Sequence, residues 1–364
     1  MIGILGGGQL GRMLALAGYP MGLQFRVLDP GVDPPAGEMA PAVTAQFDDL
    51  MALDAFMDGC DVVTFEFEQV PADSARHIAR HVPVHPSPDI LEVAQDRLAE
   101  KDLFASLDIP TARFARVDDH RMLTDAVATI GGPSILKTRG GGYDGKGQVR
   151  IATESDTVHA WEDLGAAPCI LEEVVDFERE LSIIAARTEG GDIAFYPPVE
   201  NHHRDGLLRL SIAPAPDLTQ DLVDQAEHHA RAILERYDYQ GILAIELFEK
   251  NGVLFGNEFA PRVHNSGHWT IEGAETSQFE NHLRGVLGLP LGDPSARGYA
   301  AMVNLIGTLP DTTEVLAAGG HLHLYGKEPR PGRKLGHITV RADSAADLAV
   351  AIERISALID QGRS

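Results

Sequence analysis

The first eleven residues constrain the fold more than any other part of the chain. A short apolar segment, Ile2 to Leu5, runs directly into Gly6-Gly-Gly-Gln-Leu-Gly11, and a helical pattern of apolar residues follows. Further short strands are predicted at Phe25–Asp29 and at 61–68, with helical patterns between them. Strands that alternate with helices form a parallel sheet with helices on its faces. The sequence therefore predicts a small doubly wound, Rossmann-like parallel sheet over residues 1–95.

The glycine turn after the first strand is compatible with three kinds of structure. Gly6-x-Gly8-x-x-Gly11, with Asp29 at the end of the second strand, matches a dinucleotide fingerprint and would indicate a nicotinamide-dependent oxidoreductase. The same glycines suit a turn that approaches the phosphate of another ligand, or a turn with only a structural role. The turn alone does not decide among these alternatives.

A second glycine-rich segment carries lysines. Lys137 lies in the predicted strand Ser134–Thr138, and five glycines follow between Gly140 and Gly147, with Lys146 among them. So many glycines make the segment more flexible than an ordinary hairpin turn, although a surface hairpin without function is the alternative. A lysine on firm backbone beside a mobile cationic loop is typical of a site for nucleotide phosphates.

Glu246 and Glu258 lie on the two strands of a predicted hairpin. If a three-residue turn pairs Glu249 with Val253, both carboxylates project from one face with their Cα atoms about 7–8 Å apart. Such a pair would bind one or two Mg²⁺ ions that bridge nucleotide phosphates. A two-residue turn would place the carboxylates on opposite faces, and unrelated surface glutamates are a further alternative.

Two other carboxylates, Glu66 and Glu68, share one face at the carboxyl end of a predicted parallel strand. Ligands bind at this edge of α/β sheets, although a solvated edge is equally compatible with the pattern. The histidines lack a zinc-binding spacing, and we expect them to act as hydrogen-bonding side chains.

Composition excludes several classes of partner. The chain has 54 acidic and 30 basic residues, a net charge of −24, which argues against binding to nucleic acid or anionic membranes. No apolar stretch approaches the roughly 20 residues of a membrane span, and the N-terminus lacks the basic region of a signal peptide. We therefore expect a cytoplasmic protein, in which a few cations must be concentrated where phosphates bind.

Together these segments resemble the ATP-grasp superfamily, and within it the N5-carboxyaminoimidazole ribonucleotide synthetases. The resemblance implies an ATP-grasp fold of mixed α/β and α+β type with units at 1–95, 96–170, 171–293 and 294–364. It spans nearly the whole chain and rests on the segments GGGQLGRM (6–13), TFEFE (64–68), GGYDGKGQ (141–148), EEVVDFERE (172–180), NEFAPRVHNSGHWT (257–270) and KLGH (334–337).

The resemblance implies an ATP-dependent ligase of purine biosynthesis that uses Mg²⁺. ATP would phosphorylate bicarbonate to carboxyphosphate, and this intermediate, or CO₂ released from it, would carboxylate the exocyclic amine of 5-aminoimidazole ribonucleotide. The products would be ADP, phosphate and N5-carboxyaminoimidazole ribonucleotide. The resemblance also implies a homodimer, and another ATP-grasp ligase is the nearest alternative.

The resemblance further implies specific roles for side chains. Mg²⁺ would be held by Glu246 and Glu258. ATP would be contacted by Arg97, Lys137, Gly142, Tyr143, Asp144, Gly145, Lys146, Gly147, Gln148, Glu172, Glu173, Val174, Val175, Glu180, His203, Asn257 and Glu258.

The second nucleotide and bicarbonate would lie between the glycine turn and the C-terminal segment. The residues implied for this substrate site are Gly8, Gln9, Leu10, Glu66, Glu68, Arg262, His264, Lys334 and Arg341. Those implied to act in catalysis are Lys137, Tyr143, Asp144, Arg262, His264 and Lys334.

Overall fold

The computed structural model describes residues 1–141, 147–153 and 156–361. Its N-terminal part contains β1 (Ile2–Leu5), α1 (Gln9–Gly18), β2 (Phe25–Asp29), β3 (Ala42–Thr44), α2 (Leu50–Met57), β4 (Val62–Phe65), α3 (Ala72–Ala79) and α4 (Pro88–Ala94). The four strands form a parallel sheet in the order β3-β2-β1-β4. All residues of β1 and β4 are buried, because helices cover both faces of the sheet. This confirms the predicted α/β class.

The next part is a small antiparallel sheet in the order β5-β8-β6-β7, with helices packed on it. α4 does not continue into the next helix, because Asp96 caps a new helix by accepting a hydrogen bond from the Leu98 N–H at 2.9 Å. Its elements are α5 (Arg97–Ser106), β5 (Phe114–Val117), α6 (His120–Ile130), β6 (Ser134–Thr138), β7 (Gln148–Ile151), α7 (Thr157–Asp163) and β8 (Cys169–Glu173).

The rest of the described chain is built on one nine-stranded sheet. Its elements are β9 (Arg179–Arg187), β10 (Ile193–Phe195), β11 (Val199–Arg204), β12 (Leu207–Ala213), α8 (Gln220–Arg236), β13 (Gly241–Lys250), β14 (Val253–Ala260), α9 (Thr270–Gly273), α10 (Gln278–Val286), β15 (Tyr299–Ile306), α11 (Thr312–Ala317), β16 (His321–Leu324), β17 (Lys334–Ala342) and α12 (Ala345–Gln361). The main strand order is β14-β13-β9-β11-β12-β15-β17-β16, and β10 pairs with β9. The C-terminal strands thus continue the sheet that carries the predicted carboxylate hairpin.

The N-terminal sheet is docked on the large sheet through α10. His282 of this helix is fully buried, and burial lowers the pKa of its imidazole to about 3, so the ring is neutral. Its Nδ1 accepts a hydrogen bond from the Ile242 N–H at 3.1 Å, and its Nε2–H donates to the Thr64 hydroxyl oxygen at 2.8 Å. One side chain therefore joins β4 to β13.

None of the helices in the described ranges combines the length and the apolarity that a bilayer span requires.

Candidate active site

The hairpin of β13 and β14 places Glu246 directly opposite Glu258. The expected three-residue turn is wrong, because Lys250 pairs with Val253 and the turn has two residues. A β-bulge then shifts the register by one residue, with Asn257 as the extra residue of β14. Directly opposed residues of an antiparallel pair point to the same face. The predicted common face is therefore present, but through a bulge rather than through the turn.

Cationic and imidazole groups surround this carboxylate pair. Arg97, the first residue of α5, has Nη1 3.2 Å from Glu258 Oε2, and His264 has Nε2 3.3 Å from Glu246 Oε1. Burial by itself would raise the pKa of Glu258, but the charges of Arg97 and Lys137 hold it below its ordinary value. Glu258 is thus ionised at neutral pH and able to hold a cation.

The two carboxylates fit Mg²⁺, which prefers oxygen ligands and usually retains several waters while binding one or two carboxylates and phosphate oxygens. Their side chains remain 18% (Glu246) and 43% (Glu258) exposed, which leaves room for such partners. Within the described ranges no three His, Cys, Asp or Glu side chains form a metal-binding group. The protein would therefore supply these two carboxylates, and the nucleotide and water the remaining ligands.

Lys137 of β6 extends toward the same region. Its Nζ lies 3.0 Å from Oε2 of Glu172, and Nζ of the buried Lys101 lies 3.7 Å from the same oxygen. Burial would raise the pKa of Glu172, but the two lysines lower it. Glu172 thus positions both ammonium groups, and Lys137, at 15% exposed, is the more accessible of the two.

β8 contains only the first two of the implied ATP contacts at 172–175. It ends at Glu173, whose carboxylate pairs with Arg113 at 2.8 Å, and the Val174 N–H donates to Pro133 O at 3.0 Å. Glu180, another implied ATP contact, pairs with Nδ1 of His203. Burial would lower the pKa of His203, but Glu180 and nearby Glu246 raise it.

The glycine turn is occupied by a side chain of the protein. The Glu66 carboxylate accepts hydrogen bonds from the Gly8 N–H and, at 2.6 Å, from the Gly11 N–H. A Cβ at Gly6 would lie 2.5 Å from Cγ of Glu66, and one at Gly8 would lie 2.6 Å from its Oε1. The first two glycines of the fingerprint therefore make room for Glu66, at the position where a dinucleotide pyrophosphate would approach.

A basic cluster faces this turn from the C-terminal segment. Nζ of Lys327 bonds to Oε1 of Gln9, and charge interactions link Lys327 with Glu66 and with the other members of the cluster. The cluster consists of Lys327, Arg330, Arg333 and Lys334. Lys334 was among the residues expected from the sequence, but Lys327 was not. The rarity of lysine, with six in the chain, is the one sequence feature that could have drawn attention to Lys327.

The implied substrate residues are only partly brought together. Arg262 Nη2 pairs with Oε1 of Glu68, which places both beside the carboxyl end of β4. Arg341 lies seven residues along β17 from Lys334, a separation of about 23 Å in an extended strand. Arg341 is exposed in a groove with Asp347 and Arg354. Its expected place beside the glycine turn is therefore wrong.

Five residues assigned from the resemblance, Gly142, Tyr143, Asp144, Gly145 and Lys146, lie outside the described residues. The flanking Gly147 accepts a hydrogen bond at its carbonyl from the Thr138 N–H at 2.9 Å, and Gln148 begins β7.

Comparison with known proteins identifies the family. A ribonucleotide synthetase preATP-grasp domain matches residues 1–95, an ATP-grasp domain matches 102–279, and a phosphoribosylaminoimidazole carboxylase C-terminal domain matches 300–350. The N5-carboxyaminoimidazole ribonucleotide synthase of Pseudomonas aeruginosa is 49% identical over 360 residues, covering 99% of both chains. The chain belongs to the N5-carboxyaminoimidazole ribonucleotide synthase family.

Solved structures of N5-carboxyaminoimidazole ribonucleotide synthases have the same fold as this chain. The synthetase of Thermus thermophilus superimposes with a TM-score of 0.95 at 52% identity over 98% of each chain. The Aspergillus clavatus enzyme in complex with ADP and 5-aminoimidazole ribonucleotide gives 0.91 at 31% identity, covering 99% of this chain and 98% of that one. The alternative of a nicotinamide-dependent oxidoreductase is therefore wrong, as the occupied glycine turn also indicates. This protein is an ATP-grasp ligase.

Proposed function

We propose that this protein carboxylates 5-aminoimidazole ribonucleotide to N5-carboxyaminoimidazole ribonucleotide with ATP, bicarbonate and Mg²⁺. The observation that carries the proposal is the presence of two separate anion-binding regions. One comprises Arg97 and Lys137, beside the opposed carboxylates Glu246 and Glu258 that would hold Mg²⁺, and the other is the basic cluster that contains Lys327 and faces the glycine turn. Two phosphate-bearing substrates require two such regions.

In the first step, a bicarbonate oxygen attacks the γ-phosphorus of ATP. The bond from that phosphorus to the bridging oxygen breaks, and ADP leaves with the electron pair. Mg²⁺ bound at Glu246 and Glu258 would neutralise phosphate charge. Arg97 and Lys137 add fixed positive charge at that site, which stabilises the charge that develops during the transfer.

In the second step, carboxyphosphate, or CO₂ formed from it, reacts with the exocyclic amine. A C–N bond forms, phosphate leaves, and the nitrogen loses a proton. Lys327 and its neighbours would anchor the 5′-phosphate and so orient the amine toward the carboxylating species. Carboxyphosphate hydrolyses in water, so the site must exclude solvent until the amine reacts.

The remaining assignments follow from the family. We infer that the protein works in the cytoplasm as a homodimer, and that Tyr143, Asp144, Arg262 and His264 contact the second substrate. Sedimentation at micromolar concentration tests the dimer, since a monomer mass of 39.2 kDa would contradict it.

The function is tested by measuring phosphate release with ATP, bicarbonate and 5-aminoimidazole ribonucleotide. We expect full turnover only with all three, together with formation of the carboxylated ribonucleotide. Glu258→Gln should lower turnover by about 100-fold or more, because it removes a metal-binding charge. Glu353→Gln, an exposed carboxylate on α12, is the matched control and should behave like wild type. Ribonucleotide-independent ATP hydrolysis as the only activity would refute the proposal.

A further inference from the structure

Two adjacent ionisable residues of α5 are buried, and the proposed reaction does not use them. Glu100 is 5% and Lys101 is 2% exposed. Burying a charge costs several kcal/mol unless the group is paired and hydrogen-bonded, so such residues usually have specific partners. Their partners lie 156 and 159 positions later in the chain, on β14.

Both side chains bind the backbone of β14, Lys101 at the β-bulge and Glu100 two residues after it. Lys101 Nζ donates to the carbonyl oxygen of Asn257 and lies 3.4 Å from that of Gly256. Glu100 Oε1 accepts a hydrogen bond from the Phe259 N–H at 2.6 Å. β14 is the edge strand of the sheet, so its outward backbone groups have no strand partner, and burying them unpaired would be costly. α5 therefore supplies the partners that the strand lacks.

The bulge decides where the carboxylates point. Up to Leu247 and Gly256 the hairpin follows the register set by its two-residue turn. If that register continued, Glu246 would oppose Asn257, and Glu258 would project to the other face of the sheet. The extra residue restores a common face for Glu246 and Glu258.

We propose that Glu100 and Lys101 are positioning residues that hold the β-bulge at Asn257 and thereby form the divalent-cation site at Glu246 and Glu258. They act through the backbone rather than as ligands. The proposal rests on the metal-binding role of the two carboxylates in the proposed function.

A hydrogen bond between uncharged groups next to the β-bulge permits a milder perturbation of the β14 backbone. The Thr111 hydroxyl donates to Gly256 O at 3.0 Å, and the Gly256 N–H donates to Pro110 O at 2.7 Å. Thr111→Val removes only the first bond while keeping the shape of the side chain. Thr129→Val removes a similar bond, from the Thr129 hydroxyl to Asp125 O at 2.8 Å, in the distant α6.

The test is the dissociation constant of Mn²⁺, used as a spectroscopic probe and measured by electron paramagnetic resonance on the full-length protein. We expect Lys101→Met and Glu100→Ala to weaken Mn²⁺ binding by about 10- to 100-fold. Glu100→Gln keeps the acceptor oxygen and should rescue most of the affinity. Thr111→Val should weaken binding by a smaller factor, and Thr129→Val should not change it.

Hydrogen exchange gives a second readout that does not depend on metal. Amides of β14 near Asn257 should exchange faster in Lys101→Met and Thr111→Val, whereas those of β17 should be unchanged. Should the charged variants fail to fold, Thr111→Val still decides the question. The positioning role alone would be overturned by one combination of results. Mn²⁺ affinity would be unchanged in Thr111→Val and in folded Lys101→Met and Glu100→Ala, but weakened in Glu258→Gln. Unchanged affinity in Glu258→Gln itself would overturn the metal assignment on which it rests.

Discussion

Replacing Lys327 with methionine should weaken binding of the ribonucleotide without affecting ATP. Lys327 is half-buried and donates a hydrogen bond to the side chain of Gln9 in the glycine turn. It also interacts electrostatically with Glu66. Methionine keeps the length of the side chain but removes the charge. A hydrogen bond to a charged group contributes about 1.5–3 kcal/mol. The KM for the ribonucleotide should therefore rise by about 10- to 150-fold.

The pKa of Lys327 predicts that ribonucleotide binding depends on pH. Burial lowers the pKa of Lys327 to about 8, Glu66 opposes this shift, and the neighbouring Arg333 and Lys334 add to it. Lys327 is thus charged below pH 8 and becomes neutral above it. In the wild type, the KM for the ribonucleotide should rise by up to about tenfold per pH unit above 8. In Lys327→Met this rise should be absent, because the titrating group is gone.

The assay is steady-state phosphate release between pH 6.5 and 9.5, with each substrate varied in turn. Arg341→Met is the matched control, since it also removes one cation but lies at the far end of β17. It should leave the KM for the ribonucleotide within about twofold of wild type, as surface charges contribute little. If Arg341→Met weakens the ribonucleotide while Lys327→Met does not, the assignment of the basic cluster is refuted.

Two further variants test other parts of the structure. Lys137→Met should lower kcat with ATP by about 100-fold or more, since about 3 kcal/mol of charge stabilisation is lost in the transition state. A near wild-type rate constant in single-turnover kinetics would contradict the role of Lys137. Thr64→Val leaves Nε2–H of the buried His282 without its 2.8 Å partner and should lower the free energy of unfolding by about 1–3 kcal/mol in urea titrations. An unchanged unfolding midpoint would show that this bond does not stabilise the docked N-terminal sheet.

Regular periodicity made much of the fold predictable. The alternation of apolar strands and helical patterns predicted the parallel N-terminal sheet, and β6 lies at the predicted residues. The segment near Val84 joins this sheet only through an isolated bridge to Val63. Local patterns indicate which segments are extended, but strand pairing depends on residues that are distant in sequence.

The carboxylate hairpin shows the limit of local reasoning. Both strands and both glutamates were found, but the bulge was not, because its partners Glu100 and Lys101 lie in a helix far earlier in the chain. Arg341 was assigned from the resemblance alone, and the extended strand β17 places it about 23 Å from Lys334.

The nine-stranded sheet has a consequence for how the chain can be divided or extended. β15 pairs with β12 on one side and β17 on the other, so the seam between the C-terminal part and the preceding part is a hydrogen-bonded ladder. A chain cut near residue 294 would remove β15 from β12. The backbone groups on that edge of β12 would then be unpaired and able to bind strands of other molecules. Split or permuted versions should therefore keep β12 and β15 in one fragment, whereas fusion partners are better tolerated after α12, beyond the last strand.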